Sequence, residues 1–103
     1  MNLNQYQYEA LKTRLKTANE DYALLGLVGE VGELYSILAK AIRDDDGKTD
    51  SLSIKKELGD VLWFLAAIAT DFGFTLEDVA EVNLTKLQKR KKNNTLTGSG
   101  DER

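Results

Sequence analysis

Two short stretches decide the reading of this chain: Gly26-Leu27-Val28-Gly29-Glu30-Val31-Gly32-Glu33-Leu34 and, further along, Lys56-Glu57-Leu58-Gly59-Asp60-Val61. Each sets two carboxylates three residues apart inside an apolar run. On a helix, positions i and i+3 share a face, so each pair presents its acids side by side. Carboxylates that close repel one another, and burial makes their ionised forms costlier still. A hard divalent cation relieves both penalties. Magnesium takes oxygen ligands, and two facing E-x-x-[E/D] helices supply them from Glu30, Glu33, Glu57 and Asp60.

Working outward, the first stretch belongs to a helix expected over about residues 20–43, with Asn19 as N-cap and Glu20 and Asp21 in its first turn. Leu24, Leu27, Val28, Val31, Leu34, Tyr35, Leu38 and Ile42 form one broad apolar stripe at helical spacing. Glu30 and Glu33 lie off that stripe, on an arc with Gly26, Ile37 and Lys40. Gly26, Gly29 and Gly32 each cost about 1 kcal/mol against alanine in a helix, which implies a close approach to this backbone. The second stretch belongs to a helix over about 53–72, closed by Gly73. Val61 to Ala69 is apolar almost all round, which marks the most buried helix of the chain. Glu57 projects with Ile54, Val61, Phe64 and Ile68, and Asp60 lies at the edge of that arc. Carboxylates there need either a basic partner or a shared metal ion. The short polar loop 43–50 makes the two helices antiparallel neighbours. Its three aspartates lack the alternating spacing and closing glutamate of an EF-hand loop, so it reads as solvated.

The flanking segments are helical as well, since the chain contains no proline and is well supplied with Leu, Ala, Glu and Lys. A first helix over about 4–16 sets Tyr8, Leu11 and Leu15 on one packing face. Thr75 caps a fourth helix, with Asp78 at N3 and Phe74 and Val79 spaced as a hydrophobic staple. Asn83, Lys86 and Arg90 share one side of it. Either they are cations well placed near a helix C-terminus, or they bind phosphate oxygens next to the acids. The basic run 89–92 lacks interleaved aromatics, so nucleic-acid binding is not expected. Residues 1–92 form one helical domain, and 93–103, rich in Asn, Thr, Gly and Ser, form an expected flexible tail.

Composition narrows the chemistry. The 103 residues suit a single small domain whose modest core favours oligomerisation, and 42% hydrophobic content fits a folded globule. With no histidine and no cysteine, imidazole acid–base catalysis, Ser-His-Asp triads and thiolate metal sites are excluded. The net charge of −3 argues against a dedicated nucleic-acid binder. No run approaches 18 consecutive apolar residues, so a soluble cytoplasmic protein without membrane association is expected.

G-E-V-G-E-L, followed by a loop and E-L-G-D-V-L-W-F-L, resembles the MazG-like all-α nucleoside triphosphate pyrophosphohydrolases over about residues 20–92. The resemblance implies a four-helix all-α fold whose helical-bundle core is completed by assembly into homodimers or homotetramers. It implies Mg²⁺-dependent hydrolysis, with Mn²⁺ able to substitute, of a (d)NTP between the α- and β-phosphates to monophosphate and pyrophosphate. The physiological role it suggests is nucleotide-pool house-cleaning. By position, Glu30, Glu33, Glu57 and Asp60 match the family's metal-binding acids. Asn83 and Lys86 fall in its N-x-x-K element, and Arg90 matches the arginine that follows. Lys40 joins this phosphate-binding set by its place on the helix. The chain departs from the family at Gly29, where many members carry a further acid, and this leaves open the number of metal ions and the identity of the base. Aromatic side chains could stack the nucleobase, while Trp63, off the main stripe, is expected at a subunit interface. Two rivals remain: phosphoribosyl-ATP pyrophosphatase, which has related acidic helices, and a non-enzymatic helical module whose acids are salt-bridged across a dimer.

Overall fold

The computed structural model describes residues 1–103 as four helices with no strand: α1 Leu3–Leu11, α2 Glu20–Asp44, α3 Ser51–Asp71 and α4 Leu76–Lys92. Local chemistry sets most of the boundaries. The Asn19 side chain accepts from the Tyr22 N–H at 2.9 Å, and the Asp50 carboxylate accepts from the N–H groups of Leu52 and Ser53. These acceptors satisfy donors that a helix start leaves free. Asp46 and Gly47 adopt positive φ in the turn between α2 and α3, which lie against each other as the main packed pair. At the other end of α3, Gly73 (φ +79°) lets the Phe74 N–H reach the Ala69 carbonyl at 2.8 Å, a Schellman closure. Thr75 then caps α4 by accepting from the Asp78 N–H at 3.1 Å.

The Schellman turn redirects the chain by 99°, so α4 leaves the end of α3 sideways and never touches α2. α1 holds this corner. Gln7 Nε2 donates to the Thr70 hydroxyl (2.9 Å) and the Phe74 carbonyl (3.0 Å), while its Oε1 accepts from the Leu76 N–H (2.8 Å). Asn4 Oδ1 accepts from the Glu77 N–H, and its Nδ2 donates to the Glu77 carboxylate. α1 is shorter than the periodicity predicts. Of the three residues expected on its packing face, Leu11 packs inward, whereas Tyr8 and Leu15 are exposed and Tyr6 packs inward in their place. The reason is Arg14, whose Nε donates to the Ala18 carbonyl while its fork meets Asp71 at 2.8 and 2.9 Å. Both side chains are only 16% exposed, so this pair is held away from bulk water. Arg14→Ala is expected to lower unfolding stability by about 2 kcal/mol, the range of hydrogen bonds to charged groups. Urea denaturation reads this directly; an unchanged midpoint would mean the pair is only decorative.

Small residues bring α2 and α3 together. Ala23 and Ala67 are fully buried between them, and Phe64 lies over Gly26, where a β-carbon would fall on its ring. Of the three glycines in the acidic stretch, only Gly26 has a neighbour this close; Gly29 and Gly32 face open space. The apolar stripe of α2 divides. Leu27, Val31 and Leu34 are half-buried, whereas Leu24, Val28, Tyr35, Leu38 and Ile42 are exposed, along with Leu25. Ile37, on the arc that carries the acids, is half-buried in their place. Thus α2 turns the Gly26–Glu30–Ile37 side of its acid-bearing arc inward and leaves much of its apolar surface uncovered. By length and hydropathy α2 could cross a membrane. Two carboxylates near its middle make a lipid setting expensive, and a partner helix covers such a face at lower cost.

Candidate metal centre

The helix pair brings three acids to one point. Carboxylate oxygens of Glu30 on α2 and of Glu57 and Asp60 on α3 all lie within 4.8 Å of one another. Glu57 and Asp60 are one turn apart on α3, and Glu30 reaches them across the antiparallel interface. No lysine or arginine pairs with any of the three. Glu57 Oε2 is buried and has no hydrogen-bond partner in the protein. The Glu30 carboxyl is pushed above the usual carboxylate range, first by burial and then by the negative charges of Asp60, Glu57 and Glu33. An orphaned buried oxygen and a repelled neighbour are unfavourable for the protein alone. A hard divalent cation fits this all-oxygen donor set: it occupies the free lone pairs and reverses the repulsion.

Glu33, one turn beyond Glu30, stands outside the three-acid cluster and is exposed, although its charge acts on Glu30. The basic candidates do not converge here within one chain. Lys40 is exposed, and its charge acts on Asp44. Asp60 lies about 16 Å before the end of α3 at 1.5 Å per residue, and α4 turns away from that end. Asn83, Lys86 and Arg90 therefore remain apart from the acids of their own chain, and Lys86 and Arg90 pair with Asp101.

Beside the acids, a cleft of about 320 Å³ is lined by Glu30 and Asp60 together with Thr13, Thr17, Tyr22, Trp63 and Phe64. Aromatic rings and two hydroxyls thus share one hollow with the carboxylates. Trp63 is tied into its own chain: the indole N–H donates to the Ala10 carbonyl (3.1 Å) and the Thr13 hydroxyl (3.0 Å). Its ring meets Phe64 edge-on at 5.0 Å, and Tyr22 lies 5.7 Å from Phe64. The sequence reading, which set Trp63 at an interface, missed that the 12–19 turn folds over this side of α3. Tyr6 was missed as well. Its phenol is pushed up, first by burial and then by the nearby charge of Asp60. No local spacing links Tyr6, Thr13 or Thr17 to the acids; only the packing of α1 brings them close.

The profile of the MazG nucleotide pyrophosphohydrolase domain matches residues 19–95. The chain is 36% identical over 114 aligned residues to the Gene 37 protein of Mycobacterium phage L5, with the whole of both chains covered. No solved structure matches it. With the acidic helix pair, the all-α fold and a profile match over most of its length, the chain belongs to the MazG nucleotide pyrophosphohydrolase domain family.

Proposed function

We propose that the protein hydrolyses a nucleoside or deoxynucleoside triphosphate between its α- and β-phosphates, with Mg²⁺ at Glu30, Glu57 and Asp60. Glu33 completes this acid set from the next turn of α2. The observation that carries this reading is the unpartnered Glu57 oxygen in a cluster of three acids that opens onto an aromatic cleft. When bound, the cation neutralises charge on phosphate oxygens and stabilises the negative charge that grows during phosphoryl transfer. Tyr22 and Trp63 offer π-faces to a nucleobase, and Thr13 and Thr17 offer hydroxyls to polar edges. The cleft volume lies at the lower end of ligand sites, about 300–1,000 Å³. A carboxylate of the set orients the attacking water and takes its proton. The products are a monophosphate and pyrophosphate, in keeping with removal of unwanted nucleotides in the cytoplasm.

This reading includes a homo-oligomer, a dimer or a tetramer. The chain exposes 7876 Å², against about 5,800 Å² for a compact monomer of its mass. Its radius of gyration is 16.6 Å, against about 13 Å. Only eight residues are buried, while Leu25, Val28, Tyr35 and Ile42 lie open on α2. The excess of about 2,000 Å² is on the scale of an obligate interface. A neighbouring copy is also what phosphate binding beside the acids by Asn83, Lys86 and Arg90 requires, because α4 does not reach α2 within one chain, while Lys40 adds a cation from α2 itself.

Incubation with a panel of NTPs, dNTPs and phosphoribosyl-ATP, with and without chelator, tests the reaction, and sedimentation of the same samples tests the assembly. Metal-dependent pyrophosphate and monophosphate are expected from at least one nucleoside triphosphate, with Mn²⁺ replacing Mg²⁺. Release of orthophosphate would mean that a different bond breaks. No turnover of any member would remove the enzymatic reading. A monomer at micromolar concentration would remove the assembly.

A further inference from the structure

Beyond α4 the chain doubles back. Asn94 (φ +55°) lets the Thr95 N–H close on the Arg90 carbonyl at 2.8 Å. Arg103 then fastens the return by donating to the carbonyls of Thr95 (3.1 Å), Gly100 (2.7 Å) and Leu96 (3.3 Å). This turn delivers Asp101 to two cations of α4. Lys86 Nζ donates to Asp101 Oδ1 at 2.9 Å, and Arg90 Nη2 donates to the Asp101 backbone carbonyl at 2.7 Å and to Oδ1 at 3.3 Å. The Arg90 side chain is only 8% exposed, and its Nε is buried without a partner. A guanidinium in that state is a strong anion receptor, since its desolvation is already complete and one donor is unused. A cleft of about 520 Å³ opens on the Lys86 side of this pairing, with Arg90 behind it rather than in its lining, and carries Lys86, Lys89 and Arg103 as cations and Glu81, Asp101 and Glu102 as anions. Two of those three acids come from the returning segment. The Asp101 carboxyl, itself exposed, is held below the usual range by its hydrogen bond to Lys86 and by the charges of Lys86 and Arg90.

We propose that the 94–103 segment is a built-in competitor: Asp101 occupies the Lys86–Arg90 anion site, and a phosphoryl group binds there only when the segment swings away. The inference rests on the reading of α4 as the phosphate-binding helix and adds its regulation. A carboxylate is a weaker ligand than a phosphoryl group for these cations, because it offers fewer oxygens and less charge. Tethering compensates by keeping its local concentration high. Occupancy by the segment multiplies the apparent affinity for phosphate by the fraction of chains that are open.

Titration with inorganic pyrophosphate in chelator, which silences the acidic cluster, isolates this site. Asp101→Asn is expected to tighten pyrophosphate binding by about tenfold, as when one chain in ten is open in the parent. The gain should vanish in Asp101→Asn combined with Lys86→Ala. Glu102→Gln, with the same change in net charge and no ion pair with either cation, should leave affinity near the parent value. In turnover assays Asp101→Asn should lower KM for nucleotide at unchanged kcat. Unchanged or weaker pyrophosphate binding by Asp101→Asn would overturn the proposal, as would an equal gain from Glu102→Gln. If the parent cleaves nucleotide and Asp101→Asn changes neither pyrophosphate affinity nor KM, only the competitor role falls. If Asp101→Asn tightens pyrophosphate while no nucleotide is cleaved, the competitor stands and the hydrolase reading falls.

Discussion

Glu30→Gln is expected to make the metal-free protein more stable while removing its activity. Glu30 is forced toward Glu57 and Asp60, and its carboxyl is raised by burial and by the charges of Asp60, Glu57 and Glu33. A carboxyl raised in the folded state favours folding when protonated. That contribution is fully present below the unfolded value, about 4.3, and is lost as pH rises through the folded value. At neutral pH the ionised Glu30 therefore works against the fold. The amide keeps the shape and removes the charge. Its metal-free Tm should exceed the parent's by a few degrees, on a scale of about 4–8 °C per kcal/mol for a domain of this size. The difference should shrink as pH falls toward 4. Magnesium reverses the order. At a hundredfold excess over Kd it stabilises the parent by about 2.7 kcal/mol, and it should do little for the variant. Turnover should fall by more than the roughly 10–100-fold typical of groups that only support a metal ligand. Calorimetry with and without Mg²⁺ checks both halves. A lower metal-free Tm in Glu30→Gln would mean that the acids are structural.

The second large effect lies under the cleft. Phe64 is 7% exposed, wedged between the Gly26 backbone, Tyr22 and Trp63. Phe64→Ala should cost about 3–5 kcal/mol, as large-to-small core changes do. Domains hold only about 5–15 kcal/mol in total, so much of the stability depends on one ring. Gly26→Ala approaches the same ring from the opposite side. Alanine gains about 1 kcal/mol in helix propensity, yet its methyl would land on Phe64 Cε1 and Cζ. Overpacking at such a point costs about 1–3 kcal/mol, so the net change should be destabilising. Trp63 is the only tryptophan and packs on Phe64. Its fluorescence should report both substitutions, with chemical denaturation measuring their size. A neutral Phe64→Ala would mean that the cleft floor carries no weight in folding.

What could be read from the residues follows the range of the forces involved. Glu57 and Asp60 are locked together by helix spacing, and a short loop makes Glu30 their neighbour, so the three-acid cluster is legible in the sequence. Glu33 satisfies the same spacing yet stands outside the cluster, because the rotation of α2 about its axis is fixed by Phe64 on Gly26, a contact between distant residues. For the same reason the apolar stripe of α2 predicts only the Leu27, Val31 and Leu34 part of its packed face. Leu15 looked like a continuation of the first helix, but Arg14 reaches Asp71 and breaks it, a pairing no local pattern announces. The capping of α4 by Thr75 was readable, being local; the direction in which α4 then runs was not. That direction depends on Gln7, nearly seventy positions earlier.

The corner that Gln7 braces also imposes an order on folding. α2 and α3 adjoin in sequence and can find each other early, because closing a short loop costs little entropy. Every bond that seats α1 spans a much longer loop: Ala10 to Trp63, Arg14 to Asp71, Gln7 to Leu76 and Asn4 to Glu77. As the chain leaves the ribosome, its first helix must wait, undocked, until more than fifty later residues have emerged. The N-terminal segment is thus made first and seated last, and the wall of the cleft that it forms is completed only when the rest of the domain is in place.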